Sequence, residues 1–504
     1  MYLSHQHTGE REAPKRESIV RLGVNAADTA TAARAAFLID GKAYFERLEE
    51  VLQQARQRIW IVGWDFNPEI RLRPDSPLSL GDLLRACVEA NPELEVRILV
   101  WAMGPIYSGK TLRFFRKMPW NDHPRITLKF DLRHPVRACH HQKIAVIDDR
   151  IAFLGGMDLT ARRWDDSRHA PENPERVSPE GKPYGPVHDI QAMVEGEAAL
   201  MIGNIARHRW KRATGEAHAP VNQAELRWPE SCEASLSGCR AAVALTEPWN
   251  FGRKGRREAI RLTHDALLSA RRTIYIETQY LASFSVARTL ARRLRDPHGP
   301  EIIAIVTRSS HGFLEKLMMG NNRDRLIRRL KRADRYGRLR VLWPAVPDAQ
   351  GRDQEINVHS KLIIVDDRFV RVGSSNLNYR SEGLDTECDL ALEACGSDQC
   401  TAVTALRYRL IAEHLDAEPQ EVERMETMTG SMVEALDRLN TRPRGLRAFA
   451  VDLAHGETTS VTGTGLFDPK KPFWPLQTVP RQFSAAASRF LGWFSLGFGS
   501  RSRK

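Results

Sequence analysis

The pattern His-x-Lys-x4-Asp occurs twice in this 504-residue chain, at His141, Lys143 and Asp148 and again at His359, Lys361 and Asp366. The copies lie 218 residues apart, and their surroundings repeat at nearly the same spacing. Ala55-Arg-Gln-Arg-Ile-Trp-Ile matches Ala270-Arg-Arg-Thr-Ile-Tyr-Ile, and the segment 95–101 matches 301–307. In the register of the motifs, Gly155 meets Gly373, Asp158 meets Asn376 and Arg162 meets Arg380. A constant offset over several elements implies duplication, and so two halves related by approximate twofold symmetry.

Local patterns give each half an α/β character. A helical period runs through Leu48, Val51 and Ala55, and a strand follows at 59–64. A second helix covers 80–90 and a second strand 96–101. Strands alternating with helices predict an α/β layered fold. The expected divisions are a polar, poorly ordered leader at 1–30, a first half at 31–210, a connector at 211–240 and a second half at 241–415. Residues 416–504 then form a helical extension ending in an aromatic and basic tail. A polar, proline-bearing insertion at 166–186 reads as a surface loop, open to solvent or laid over the active site.

Read as a strand, 141–148 places His141 and Lys143 on one face and Asp148 on the other, because side chains alternate with period two. The second copy puts His359 and Lys361 together, with Asp366 opposed. The histidines and lysines are therefore the groups that can converge on a ligand, while Asp148 and Asp366 anchor strand ends. Two imidazoles and two ammonium groups suit a phosphodiester. The lysines neutralise the non-bridging oxygens, one imidazole attacks phosphorus, and the other protonates the leaving oxygen and then activates water or an alcohol. A lysine beside each histidine repels a cation, so neither a metal nor a cofactor is expected. A nucleophilic imidazole needs its tautomer fixed by a carboxylate. Asp189 and Glu387, each downstream of a motif, are the candidates. Asp158, Ser374 and Asn376 sit in glycine-led turns after the motif strands, where short polar groups can reach the phosphate.

At these residues the chain resembles the phospholipase D superfamily, whose hallmark is the duplicated motif, over roughly 35–415. The segments around His140-His141-Gln142-Lys143, Gly155-Gly156-Met157-Asp158-Leu159, Arg163-Trp164-Asp165 and Val187-His188-Asp189 resemble the first-motif region of phosphatidylcholine-cleaving members. Ile274-Tyr275-Ile276-Glu277-Thr278-Gln279-Tyr280 and the run from Gly373 to Ser381 resemble the second-half segments, with Thr278 where Asn is more familiar. The resemblance implies two pseudo-symmetric α/β sandwich halves of the phospholipase D type, with mixed sheets and the active site at their interface. It also implies hydrolysis of a phospholipid headgroup to phosphatidic acid, with other alcohols competing against water. By the same resemblance His141 is the nucleophile and His359 the acid and base. Asp158 departs from the symmetric Asn376, and a carboxylate near phosphate is unfavourable unless paired with a lysine or backbone groups.

The formal charge of +12 favours anionic partners, lipid headgroups or nucleic acid. A phospholipid surface is the expected partner and nucleic acid the less favoured one. The rival readings are a cardiolipin synthase-like phosphatidyltransferase, a nuclease of the same superfamily and an inactive lipid- or nucleic-acid-binding protein. Intact histidines, lysines and acids in both halves argue against the last. Both motifs lie on one chain, so a monomer suffices for one site. Residues 322–340 hold nine basic residues around Leu326, Ile327 and Leu330, read either as a helix on anionic lipid or as a solvated face. The tail at 471–504 mixes Phe, Trp and Arg, as a bilayer interface does and as a tail packed on its own domain does. Met1 to Arg21 lacks the apolar stretch of a signal peptide, and no run of about 18 apolar residues occurs. The expected location is the cytoplasm or its membrane face, with export by another route left open.

Overall fold

The computed structural model describes residues 17–104, 118–135, 137–221, 226–249, 254–308, 321–461 and 468–469. The aromatic and basic tail lies outside the described residues.

The β-branched runs that mark the repeat become strands, and they pair in the same order in both halves. In the first half these are β1 (Asp28–Ile39), β2 (Arg58–Gly63), β3 (Glu95–Trp101), β4 (Ile126–Asp131), β5 (Ile144–Ile147), β6 (Ile151–Gly155), β7 (Val187–His188) and β8 (Ile190–Glu195). The second half opens with β9 (Leu236–Glu247), β10 (Arg256–Arg257), β11 (Thr273–Thr278), β12 (Glu301–Val306), β13 (Leu339–Pro347), β14 (Asp353–Glu355) and β15 (Asn357–Val358). It closes with β16 (Lys361–Val365), β17 (Phe369–Gly373), β18 (Glu387–Glu393) and β19 (Gly445–Ala448). The first sheet runs β4-β3-β2-β5-β6-β8-β1 and the second β13-β12-β11-β16-β17-β18-β9. In each, the three strands farthest from the seam are parallel and the rest antiparallel, which is the mixed sheet expected.

The halves do not stand apart as two sheets. β1 pairs antiparallel with β9 from Asp28↔Val243 to Ala35↔Leu236, so one sheet runs through the whole molecule. Its faces are buried differently. Trp60, Val62 and Val146 from the first half share a core with Tyr275, Ile364 and Leu410 from the second. The alternate residues Ile59, Ile61 and Ala145 face an outer core of the first half, and Ile274, Ile276 and Ile363 an outer core of the second. Period-two alternation thus serves two apolar faces, which is why these strands read as continuous apolar runs.

Asp148 and Asp366 end the motif strands with φ of 49° and 51°, a left-handed conformation that Asp tolerates. Asp148 accepts from the backbone N–H groups of Arg56, Gln57 and Arg58, and Asp366 from those of Arg271, Arg272 and Thr273. The repeated Ala-Arg segments are therefore the turns that each motif aspartate clamps.

Several expectations need correction. Residues 17–30 are not a loose leader: Ile19 and Val20 are buried, Ile19 N–H donates to Glu393, and β1 begins at Asp28. The first motif strand starts only at Ile144, leaving His141 to Lys143 in an extended run beside the second half. The extension after 415 holds the helices Pro419–Thr429 and Met432–Leu439, then returns to add β19 beside β13. The insertion at 166–186 is pinned by Arg176, itself 1% exposed, on Asp165. In the basic helix Asn321–Ala333, Leu326, Ile327 and Leu330 are buried in the core, while Arg325, Arg328 and Arg332 bind residues 452–459 of the same chain. No helix among the described residues is long and apolar enough to cross a membrane.

Candidate active site

Each histidine is held by the half it does not belong to. β7 pairs in parallel with β15, Val187 beside Asn357 and His188 beside Val358. The run continues as His359 N–H donates to the His188 carbonyl at 2.7 Å. Symmetrically, His141 N–H donates to the Thr386 carbonyl and Thr386 N–H to that of Cys139, both at 2.9 Å. Each motif thus lies against the strand that carries the other half's acid.

That exchange sets the side-chain partners. His359 Nδ1 lies 2.8 Å from Asp189 Oδ2, and His141 Nδ1 lies 3.0 Å from Glu387 Oε2 and 3.1 Å from the Ser374 carbonyl. A proton on Nδ1 satisfies these acceptors and leaves Nε2 of both rings for a reacting atom. Glu387 is further tied down by hydroxyls, Ser374 Oγ donating at 2.5 Å and Ser381 Oγ at 2.7 Å. Burial pushes Glu387 up to about 8 against the lowering pull of those two hydroxyls. Burial also raises Asp189, with Lys361 opposing. Gly156 is required here, because a Cβ at that position would lie 2.3 Å from Asp189 Oδ1.

The lysines are not equivalent. Lys143 Nζ donates to the His141 carbonyl at 2.9 Å and pairs with Asp158 at 3.0 Å. Lys361 Nζ donates to the His359 carbonyl and lies 3.2 Å from His359 Nδ1, and the position matching Asp158 is Asn376. Burial, then the nearby Lys143 and Arg163, lower Lys361 to about 7, against the pull of Asp189. Burial and the lysines hold both His141 and His359 well below the usual imidazole range. Each histidine feels the charge of both Lys143 and Lys361.

Two residues read from the sequence as phosphate contacts have hydrogen-bond partners of their own. Asp158 spends its carboxylate on Lys143 and on Trp64 N–H at 2.8 Å, as a buried anion must. Ser374 gives its only proton to Glu387 and accepts from Cys388 N–H, so it orients the His141 partner and has no donor left for phosphate. Asn376 keeps a buried side-chain oxygen without a hydrogen-bond partner. Arg163 went unassigned in the sequence, although its Arg-Trp-Asp context was noted. Its charge acts on His359, Lys361 and Asp189. It also lines a cavity of about 800 Å³ with Phe45, Arg71, Arg162, Trp164 and Tyr184.

Comparison with known proteins finds relatives for both halves. Residues 51–251 match the family model described as phospholipase D, and residues 264–402 match the one described as cardiolipin synthase, PLD-like domain. Each match contains one motif. The chain is 24% identical to phospholipase D A of Dictyostelium discoideum over 76% of its own length and 35% of that protein. It is 23% identical to phospholipase D alpha 4 of Arabidopsis thaliana over 80% of its length and 65% of that protein. It therefore spans from about a third to two thirds of these relatives. Among solved structures, the phosphatidylserine synthase of Haemophilus influenzae matches with a TM-score of 0.51 at 15% identity, covering 81% of this chain and 95% of that one, a likeness of fold.

Proposed function

We propose, for a chain that belongs to the phospholipase D superfamily, that this site hydrolyses the headgroup phosphodiester of glycerophospholipids of the phosphatidylcholine kind. The observation that carries the reading is the crossed pair: two imidazoles, each with Nδ1 on a buried carboxylate of the opposite half, set among two buried lysines. His141 Nε2 attacks phosphorus, an N–P bond forms and the P–O bond to the headgroup breaks, with His359 giving its proton to the leaving oxygen. His359 then takes a proton from water, whose oxygen attacks phosphorus, releasing phosphatidic acid and restoring His141. Lys143, Lys361 and the Asn376 amide hold the non-bridging oxygens. The bound anion raises the depressed His359, so protonation of the acid accompanies binding.

Headgroup release from mixed phospholipid vesicles, run beside a plasmid-nicking assay, tests the class. Lipid turnover supports the reading. Nicking without lipid turnover overturns it in favour of a nuclease, and inactivity on both overturns it in favour of a binding protein. A second reading, phosphatidyl transfer to an alcohol, draws on the match of residues 264–402. It predicts that added glycerol or phosphatidylglycerol outcompetes water as acceptor, with peripheral docking on the vesicle common to both readings.

The pH profile supplies a further prediction. Lys361, at about 7 in the free protein, loses its proton as pH rises through that value. Bound phosphate raises it again. kcat/KM is expected to fall above about pH 7 while kcat holds to higher pH, and in Lys361→Arg the fall disappears from the residual activity. A kcat/KM flat to pH 9 removes Lys361 from phosphate capture.

A further inference from the structure

A second cluster of ionisable side chains sits one residue upstream of Asp189, and the chemistry above does not use it. Asp40, His169 and His188 come from the first half and Glu413 from the second, on the helix Ser397–Leu415. The first three are at most 1% exposed, and the Glu413 side chain is 9% exposed.

The outer nitrogen of each imidazole is already committed. His169 Nδ1 lies 2.9 Å from Asp165 Oδ2, a carboxylate that also binds Arg176 and Val187 N–H and is therefore an acceptor. His188 Nε2 lies 3.0 Å from Glu277 Oε2. Glu277 also accepts from Tyr275 and His414. The inner nitrogens, His169 Nε2 and His188 Nδ1, face the space shared with Asp40 and Glu413, and with the protons on the outer nitrogens their lone pairs are open to an ion.

The geometry of that space is specific. His169 Nε2 is 3.4 Å from Asp40 Oδ2 and 3.3 Å from Glu413 Oε1, and His188 Nδ1 is 3.0 Å from Asp40 Oδ1 and 3.0 Å from Glu413 Oε1. Four donors at ~2.0–2.1 Å from a tetrahedral ion stand about 3.3 Å apart. Both carboxylate oxygens of Asp40 and Nδ1 of His188 are sealed from solvent without a properly aligned hydrogen bond, an unusual state for buried polar atoms. Asp40 and His169 also hold φ of 67° and 45°, and such strain gathers at functional positions. Two carboxylates and two neutral imidazoles leave a charge of −2 that a divalent cation cancels. Imidazoles whose other N–H is held by a carboxylate, as here by Asp165 and Glu277, are the common setting of zinc sites.

We propose that Asp40, His169, His188 and Glu413 bind one divalent transition metal ion, with Zn2+ the best match to two nitrogens and two oxygens, and that the ion fastens the halves together beside the His359–Asp189 pair. It lies apart from the motif histidines, where the lysines repel a cation. Its grip reaches the reaction through the backbone, since Asp40 N–H donates to the Asp189 carbonyl at 2.8 Å and His359 N–H to that of His188. The competing state of the same residues carries two protons in place of the ion. In that state the surrounding acids raise both His169, to about 9, and His188 against burial, so binding of the ion displaces two protons.

The test uses the full chain, stripped with a chelator and titrated with Co2+ at pH 8. The expected result is one Co2+ per chain with the strong visible absorption of tetrahedral geometry, displaced by Zn2+ and accompanied by a rise in Tm. His169→Gln and Glu413→Gln lose this spectrum, and His141→Ala keeps it. Failure of the wild-type protein to bind, a weak octahedral spectrum, or full binding in a folded His169→Gln or Glu413→Gln protein each overturns the proposal. Should both variants fail to fold, the wild-type stoichiometry and spectrum decide alone.

Discussion

Replacing His141 or His359 by Ala is expected to lower headgroup release by at least about 10³-fold, with the circular dichroism spectrum unchanged. Both side chains keep some exposure, 19% and 10%, and each ring's one described side-chain hydrogen-bond acceptor is its carboxylate, so truncation removes chemistry more than packing. The double variant should be hardly worse than either single one, because groups that act in one sequence of steps do not contribute additively. The two single variants should still differ. With a p-nitrophenyl leaving group, which needs no protonation, His359→Ala should release a burst equal to the enzyme concentration and accumulate phosphorus on His141. His141→Ala should give no burst. A burst in His141→Ala alone would exchange the two roles, and full turnover in either variant would end the two-histidine mechanism.

Much of this site was legible in the chain, and the reasons are local. The duplicated motif, the glycine turns and the repeated Ala-Arg segments each depend on a few consecutive residues. Period two separated His141 and Lys143 from Asp148, and the structure gives Asp148 and Asp366 the matching anchoring contacts. What stayed hidden depends on contacts between distant residues. The seam strands β1 and β9 are rich in alanine, which favours strands weakly, so nothing in their composition announced that they join the halves. The polar residues around Ile19 and Val20 masked two buried side chains. Ser374 and Asp158 sit beside the phosphate position in sequence, but their hydrogen bonds are already taken by Glu387 and Lys143, a matter of satisfied valence that spacing does not reveal. The cluster around His188 draws Asp40, His169, Glu277, Glu413 and His414 from four other segments, and no spacing in the sequence links them.

The crossed wiring of the acids yields the second large effect. Each motif is followed by its own acid, Asp189 after His141 and Glu387 after His359, and proximity in the chain suggests pairing within each half. The paired strands Val187–His188 and Asn357–Val358 reverse this, so Glu387 serves His141 and Asp189 serves His359. Glu387→Gln and Asp189→Asn are each expected to lower kcat by about 10²–10⁴-fold, since an amide preserves shape but neither fixes the Nδ1 tautomer nor stabilises the imidazolium. The phenotypes should then sort by the histidine served. Asp189→Asn should behave as His359→Ala does and keep the burst with the p-nitrophenyl substrate. Glu387→Gln should behave as His141→Ala does and lose it. The reverse assortment would mean that the acids act within their own halves during turnover. Equal loss of the burst in both variants would mean that the carboxylates support the site as a unit: Glu387, Asp189, Lys143 and Lys361 are all buried, and changing one alters the hydrogen bonding of both imidazoles together.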